Sequence, residues 1–188
     1  MNNFSTFSYM IDNNLTLQGY GIKLHRLTED KIELVRCWRN HPKIQQYMDY
    51  REYITPEQQK QWFAKINNDQ NYFFIVEMDG KDVGLVDIKD INDGCGESGI
   101  FLWDDAIYGK KVSYRSLLLL HDFAFEKLGL RKLYSHILND NIRSQRCYTS
   151  LGFVLYDGEQ DNVLQLYYLG KDRHFEIRQS VINKVSEK

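Results

Sequence analysis

The sequence is poor in cysteine and proline, and these shortages exclude several classes of protein. Only 3 of its 188 residues are cysteine and 2 are proline. Cys37, Cys95 and Cys147 are widely spaced and form no CxxC pair. Neither a disulfide framework nor a zinc site is therefore expected, and we expect no metal cofactor. This cysteine usage fits a reducing compartment, so a cytoplasmic location is predicted.

The chain also lacks a basic excess and a long apolar run. Its formal net charge is −2, whereas a general nucleic-acid-binding protein usually carries many more cations than anions. No stretch reaches 18 continuous apolar residues, so no membrane span is expected. Residues 1–14 are a polar, Asn-rich leader without the pattern of a secretory signal. We therefore expect neither a nucleic acid nor a membrane as partner.

What is present suits one domain with a substantial core. Hydrophobic residues make up 43% of the chain, and its length is ordinary for a single domain. We place this domain at 15–170 and a C-terminal tail, compatible with a helix around 174–185, at 171–188. Strands are predicted in 15–27 (one or two), 71–78, 83–88, 98–103, 132–138, 153–156 and 163–169. Helices are predicted in 28–41, 43–48, 55–68, 110–127 and 141–152.

Turn and cap residues support this order of elements. Asp79-Gly80 and Asp93-Gly94 are typical hairpin turns, Thr28 is predicted to cap a helix, and Thr55 begins a capping box. Three strands joined by hairpins, followed by helix and strand in alternation, indicate an α+β or α/β three-layer fold with a partly antiparallel sheet.

The most informative segment is 141–153, where Asn141 and Gly152 enclose a short helix. Asn141 suits a helix cap, Gly152 a helix end, and Tyr148 a core position. The same segment resembles the last helical motif of the GCN5-related N-acetyltransferases (GNAT), roughly Asn, a few residues, then Tyr-x-x-x-Gly-Phe. The resemblance implies acetyl-CoA as co-substrate. It also implies that Asn141 and Ser144 contact this co-substrate and that Tyr148 protonates the departing thiolate.

The order of elements is also that of this family, which implies the acyl-CoA N-acyltransferase fold. That fold has a mixed, mostly antiparallel sheet of about seven strands flanked by helices. Its pyrophosphate turn, patterned Gln/Arg-x-x-Gly-x-Gly/Ala, uses backbone N–H groups at a helix N-terminus to hold an anion. On this pattern Tyr108, Lys111 and Ser113 replace the three usual residues. The cofactor-binding residues implied here are Phe101, Leu102, Tyr108, Gly109, Lys110, Lys111, Val112 and Ser113.

The unusual turn leaves two interpretations open. The turn keeps its backbone donors and gains positive charge from Lys110 and Lys111, or it has decayed and the domain is a non-catalytic binder of CoA. In the first case an amine attacks the thioester after losing a proton. Glu97, where many relatives carry a base, is the candidate proton acceptor, with water as the alternative.

The acceptor is predicted from the N-terminal helices. Trp38-Arg39-Asn40, with Tyr47-Met48 after it, resembles the subgroup that acetylates nucleotide-linked deoxy amino sugars, such as the UDP-4-amino-sugar acetyltransferase of pseudaminic acid synthesis. The resemblance implies that these five residues bind a small-molecule amine and that Arg39 pairs with its phosphate. The alternatives are a ribosomal-protein N-terminal acetyltransferase and a polyamine acetyltransferase. A homodimer is compatible with the sequence.

Overall fold

A mixed β-sheet forms the centre of the computed structural model, which describes residues 14–48, 50–104, 107, 109–158 and 163–186. Within these residues, eight strands run in the spatial order β1-β2-β3-β4-β5-β6-β8-β7. The strands are β1 (Thr16–Gly19), β2 (Ile22–Arg26), β3 (Tyr72–Met78), β4 (Lys81–Asn92), β5 (Cys95–Leu102), β6 (Lys132–Leu138), β7 (Val154–Leu155) and β8 (Leu164–Gly170). All neighbours are antiparallel except β5 and β6, which are parallel. The predicted fold class is confirmed, with one strand more than the seven expected.

Helices cover both faces of the sheet. They are α1 (Ile32–Asn40), α2 (Pro42–Gln45), α3 (Pro56–Ile66), α4 (Val112–Glu126), α5 (Ile142–Ser150) and α6 (Lys171–Ser186). The capping box at Thr55 is confirmed by reciprocal hydrogen bonds with Gln58. The helix cap predicted at Thr28 is wrong, because its hydroxyl donates to the Asp30 side chain at 2.6 Å and a 3₁₀ turn precedes α1.

Two separate apolar clusters fix the helices to the sheet. The larger lies between the sheet and α4, with Phe74, Leu117 and Leu120 fully buried. The smaller lies on the opposite face, where Trp38 of α1 and Trp62 of α3 pack on β3 and β4. Burying two faces of one sheet makes a three-layer architecture. The sheet therefore separates an α1/α3 side from an α4/α6 side.

Helix α6 is attached to α4 through a buried carboxylate. Asp122 accepts hydrogen bonds from the Tyr20 hydroxyl at 2.6 Å and from Arg178 Nε at 2.7 Å, and it lies 2.7 Å from His174 Nε2. Burial alone would raise the pKa of Asp122, but its hydrogen bonds with His174, Arg178 and Tyr20 outweigh burial and hold the pKa well below its usual range. The carboxylate is thus ionised and fully partnered.

The far end of α6 approaches the start of α4. Lys111 Nζ donates to the Lys184 carbonyl, and Arg115 Nη2 donates to the Val185 carbonyl at 3.0 Å. Cations at a helix C-terminus satisfy carbonyl groups that have no partner inside the helix. Helix α6 is therefore held at both ends.

Candidate active site

The two parallel strands separate soon after they pair. β5 and β6 are in register only from Cys95 to Glu97, opposite Lys132 to Tyr134. Past Glu97, β5 stays paired with β4 and β6 stays paired with β8. A gap consequently opens between β5 and β6 at the carboxyl ends of both strands.

Backbone groups of β5 face this gap. Trp103 N–H donates to Val83 on the β4 side, whereas the Ser98 carbonyl accepts a side-chain hydrogen bond at the gap. Because strand residues alternate in the direction of their backbone groups, Ile100 shares the orientation of Ser98. Its N–H and C=O are therefore placed to pair with an amide-containing ligand.

Helix α5 carries Tyr148 into the gap. The helix begins where the Asn141 side chain accepts the Ser144 N–H at 3.1 Å. Tyr148 is only 3% exposed, its ring lies edge-on to Phe153, and its hydroxyl donates to the Ser98 carbonyl at 3.0 Å. Burial raises the Tyr148 pKa, so the hydroxyl stays protonated and can act as a proton donor.

A cavity of about 270 Å³ leads into the gap from the α4/α5 side. We call it the cofactor channel, because it joins the start of α4 to Tyr148. It contains six residues of the predicted cofactor set and two of the predicted substrate set. Its lining includes Phe101, Leu102, Ser113, Asn141, Ser144, Tyr148, Tyr47, Met48, Ile100, Arg143 and Cys147.

The turn before α4 presents backbone rather than side chains. Lys111 is in the left-handed conformation (φ 56°), and no side chain caps the helix that begins at Val112. Gly109 also has a positive φ, of 86°. The N–H groups of a helix start, together with the helix dipole, attract anions such as a pyrophosphate. The turn has the means to bind one without the usual glycines.

Neither lysine side chain covers this turn. Lys111 Nζ reaches the end of α6, and Lys110 Nζ lies 3.5 Å from the Asp79 carboxylate. In this arrangement the Lys111 side chain therefore does not block the turn. Tyr108, which the resemblance assigns to the same turn, lies outside the described residues.

A second cavity, of about 540 Å³, opens on the α1/α3 side of the sheet. We call it the acceptor cavity, since it meets the cofactor channel at Tyr148 and Ile100. It contains Arg39, Tyr47 and Met48 from the predicted substrate set, together with Asp87. It also contains residues for which the sequence predicted no such place: Tyr50, Trp62, Lys89, Ser135 and His136.

Two predicted substrate residues have structural positions instead. Trp38 is 3% exposed and packs between Phe101 and Trp103, with ring centroids 6.2 Å from each. The Asn40 side chain exchanges two 2.8 Å hydrogen bonds with the Ile54 backbone. Both residues thus support residues of the acceptor cavity without lining it.

Glu97 lies in the acceptor cavity with both oxygens in contact with basic groups. Oε1 is 3.2 Å from Lys89 Nζ, and Oε2 is 3.3 Å from His136 Nδ1. This arrangement fixes the carboxylate against the floor of the cavity.

Asp87 is buried in the same cavity but has no such partner. It is 9% exposed, and none of the described residues gives it a hydrogen bond or ion pair. A Cβ at Gly99 would lie 2.8 Å from its carboxylate, so the glycine makes room for it. Burial, reinforced by Glu97, raises the Asp87 pKa to about 7 against the lowering effects of Lys89 and Arg39.

Arg39 is a partly buried cation in the same cavity. Its guanidinium lies 5.5 Å from the Trp62 ring centroid, and its buried Nε has no hydrogen-bond partner among the described residues. Burial lowers the Arg39 pKa, although the Asp87 charge opposes this. A buried donor without an acceptor is costly, and an anionic group on a ligand would satisfy it.

None of the helices in the described part of the chain is long and apolar enough to cross a membrane. Among the described residues, no three His, Cys, Asp or Glu side chains come together as a possible metal site.

Comparison with known proteins identifies the family. The profile of the acetyltransferase (GNAT) domain matches residues 22–154. The chain belongs to the GNAT acetyltransferase family. It is accordingly an N-acetyltransferase that uses acetyl-CoA, and the interpretation as a non-catalytic CoA-binding domain falls away.

The individual relatives include acetyltransferases with different names. The chain is 30% identical over 144 residues to acetyltransferase PseH of Campylobacter jejuni, covering 74% of this chain and 89% of that protein. It is 27% identical over 143 residues to the spermidine N(1)-acetyltransferase of Escherichia coli K12, covering 75% and 76%. The structure of Campylobacter jejuni PseH with acetyl coenzyme A shares the fold, with a TM-score of 0.62, 23% identity, and coverage of 79% and 98%.

Proposed function

We propose that this GNAT enzyme acetylates a primary amine on a nucleotide-linked deoxy amino sugar. Arg39 carries this proposal, because it lies in the acceptor cavity and its buried Nε has no hydrogen-bond partner among the described residues. A nucleotide sugar brings a diphosphate that a planar guanidinium binds through two parallel hydrogen bonds. The 30% identity to PseH supports the same acceptor class.

The cofactor channel offers a consistent place for acetyl-CoA. The backbone N–H groups that begin α4 would hold the pyrophosphate, and Arg143, which lines the channel, adds a cation nearby. Ile100 would pair with the amides of the pantetheine arm. The thioester would then reach Tyr148 in the gap, where the two cavities meet.

The reaction requires a nucleophile on one side of the gap and a proton donor at the gap itself. An amine in the acceptor cavity attacks the thioester carbon, and the carbon–sulfur bond breaks with its electron pair on sulfur. Tyr148, protonated and buried, donates a proton to that thiolate. Glu97 is the proton acceptor that the sequence predicts, and its carboxylate lines the same cavity.

A polyamine is the second candidate acceptor. Asp87 and Glu97 place two carboxyl groups in the acceptor cavity, which suits a polycation, and the spermidine acetyltransferase of Escherichia coli is a relative. Both carboxyl groups, however, share the cavity with the cations Lys89 and Arg39. This mixture favours a ligand that carries an amine and an anion together.

The test is release of free CoA from acetyl-CoA with UDP- and dTDP-linked 4-amino sugars, spermidine and a peptide that begins with Ala. We expect turnover with a nucleotide sugar. We also expect Arg39→Gln to raise KM for that acceptor at least tenfold, because it loses a charge-assisted contact. KM for the same amino sugar without its nucleotide should not change.

The matched control is Lys60→Gln, which removes an exposed cation from α3 and should leave both KM values unchanged. Turnover with spermidine alone would contradict the proposed acceptor and establish the second candidate. An equal rise of KM for the sugar with and without its nucleotide would show that Arg39 does not bind the phosphates.

A further inference from the structure

The acceptor cavity contains a carboxyl group to which the sequence assigned no catalytic role. We propose that Asp87 is the catalytic proton acceptor for the amine, in place of Glu97. This inference depends on the proposed use of the α1/α3 cavity for the acceptor, but not on which amine enters it.

The position of Asp87 meets the geometric requirement for a base. It lies in the centre of the sheet opposite Gly99 of β5, one residue from Ser98, whose carbonyl holds Tyr148. Asp87 and Tyr148 line the same cavity. When an amine in the acceptor cavity attacks a thioester in the gap, it requires a base on its own side and an acid near the sulfur.

The contacts of the two acids distinguish their roles. Glu97 is fixed by Lys89 and His136, at 3.2 and 3.3 Å. Asp87 is 9% exposed and faces the cavity without a partner among the described residues. An incoming ammonium group would therefore be its first strong hydrogen-bond donor. A carboxylate without a hydrogen-bond donor is better suited to take a proton from the amine than a carboxylate already paired with basic groups.

The charges around Asp87 come from three elements. Lys89 and Asp90 belong to β4 itself, Glu97 to β5 and Arg39 to α1, and cations and anions nearly balance. Burial is then the decisive influence and places the Asp87 pKa at about 7. A base with a pKa near the working pH is both available and strong enough to take a proton. His136 also faces the cavity, from β6.

The proton balance is complete without a further reactant. Asp87 takes one proton from the bound ammonium, and the freed lone pair forms the carbon–nitrogen bond. As the carbon–sulfur bond breaks, Tyr148 gives its proton to the thiolate and recovers one from the acetylated nitrogen. Asp87 then releases its proton to water, so one proton leaves for each acetyl group transferred.

The test compares the wild type with Asp87→Asn and Glu97→Gln over pH 5.5–9. Asp69→Asn is the matched control, since it makes the same change at an exposed turn position before β3, away from the cavity. Rates are measured with a UDP-linked 4-amino sugar, with spermidine, and as hydrolysis of acetyl-CoA to acetate and CoA. A melting-temperature shift with acetyl-CoA verifies that each variant folds and binds the co-substrate.

We expect Asp87→Asn to lower kcat at pH 8 about 100-fold and to remove the rise of kcat/KM that the wild type shows near pH 7. Asp69→Asn should match the wild type. An unchanged kcat with a raised KM in Asp87→Asn would show that Asp87 binds the acceptor without acting as its base, and would overturn the proposal. Loss of the pH-dependent rise in Glu97→Gln but not in Asp87→Asn would also overturn it, in favour of Glu97.

The three rates separate this proposal from the proposed acceptor. Hydrolysis that depends on Asp87, without transfer to the nucleotide sugar, would support the base and contradict the acceptor. Transfer to the nucleotide sugar at equal rates in the wild type and Asp87→Asn would contradict the base and leave the acceptor in place.

Discussion

Two buried aspartates, one on each side of the sheet, have opposite environments. Asp122 on the α4/α6 side is surrounded by Tyr20, His174 and Arg178, and its pKa lies well below the usual range. Asp87 on the α1/α3 side has no such donors, and its pKa is raised to about 7. The same side chain thus holds the fold together in one place and stays available to a ligand in the other.

The comparison shows where the protein buries a charge at the expense of stability. Burying a charge without compensation is unfavourable, and proteins keep such groups where they serve a function. Asp122 is compensated, as a structural group should be. Among the described residues, the Asp87 carboxylate and the Arg39 Nε have no hydrogen-bond partner, and both residues face the acceptor cavity.

We expect the largest effect on stability from removal of the Asp122 carboxylate on the α4/α6 side. Asp122→Ala leaves the His174 and Arg178 side chains without their acceptor, so it should lower the free energy of unfolding by about 3–5 kcal/mol. For a domain of this size that corresponds to a melting temperature lower by roughly 10 °C. Glu126→Gln, at an exposed position of the same helix, is the control for thermal unfolding. Equal melting temperatures for both variants would contradict the structural role of Asp122.

Asp87→Asn should have the opposite effect on stability, and one that depends on pH. The Asp87 pKa in the folded state, about 7, exceeds the ordinary value of 3.8, so the wild type loses stability as pH rises between these values. Removing the charge should therefore raise the free energy of unfolding at pH 8 by roughly 2–4 kcal/mol, with no gain at pH 4. Urea unfolding at both pH values measures this. A gain of the same size at pH 4 would show that the cause is not ionisation.

Tyr148→Phe acts at the gap, where the two sides of the sheet meet. Loss of the proton donor should lower kcat about 100-fold, while the melting-temperature shift with acetyl-CoA should stay nearly that of the wild type. Thiol release and thermal shift measure the two properties on one preparation. Unchanged turnover would remove Tyr148 as the acid, whereas loss of the thermal shift would reveal a role in binding.

Most of the fold followed from local patterns. The hairpin turns, the capping box at Thr55 and the Asn141 cap each depend on neighbours within a few residues, and the structure contains all of them. Thr28 failed as a cap because the competing acceptor, Asp30, lies two residues away. The β5–β6 gap depends on strands that are far apart in the chain, so no local pattern marks it. Cytoplasmic location and a homodimer remain predictions.

The acceptor cavity could be predicted only in part. Arg39 could be predicted because it belongs to a local sequence motif. Lys89 and His136 both contact Glu97 only because β4 and β6 lie on either side of β5. Asp87 did leave a signal, since it is a lone acid in the otherwise apolar run of residues 83–88. Its lack of partners depends on every element around it, and sequence patterns do not contain that information.

The hydrogen bond between Arg178 and Tyr20 spans 158 residues of the chain, and this fixes an order of events during synthesis. Until α6 leaves the ribosome, Asp122 lacks Arg178 and His174, so the α4 side of the sheet cannot reach its final stability. A nascent chain that ends before residue 171 should behave as a loosely packed precursor, and the last helix should convert it into the native protein. Folding of this part of the enzyme is thus completed when α6 packs against α4.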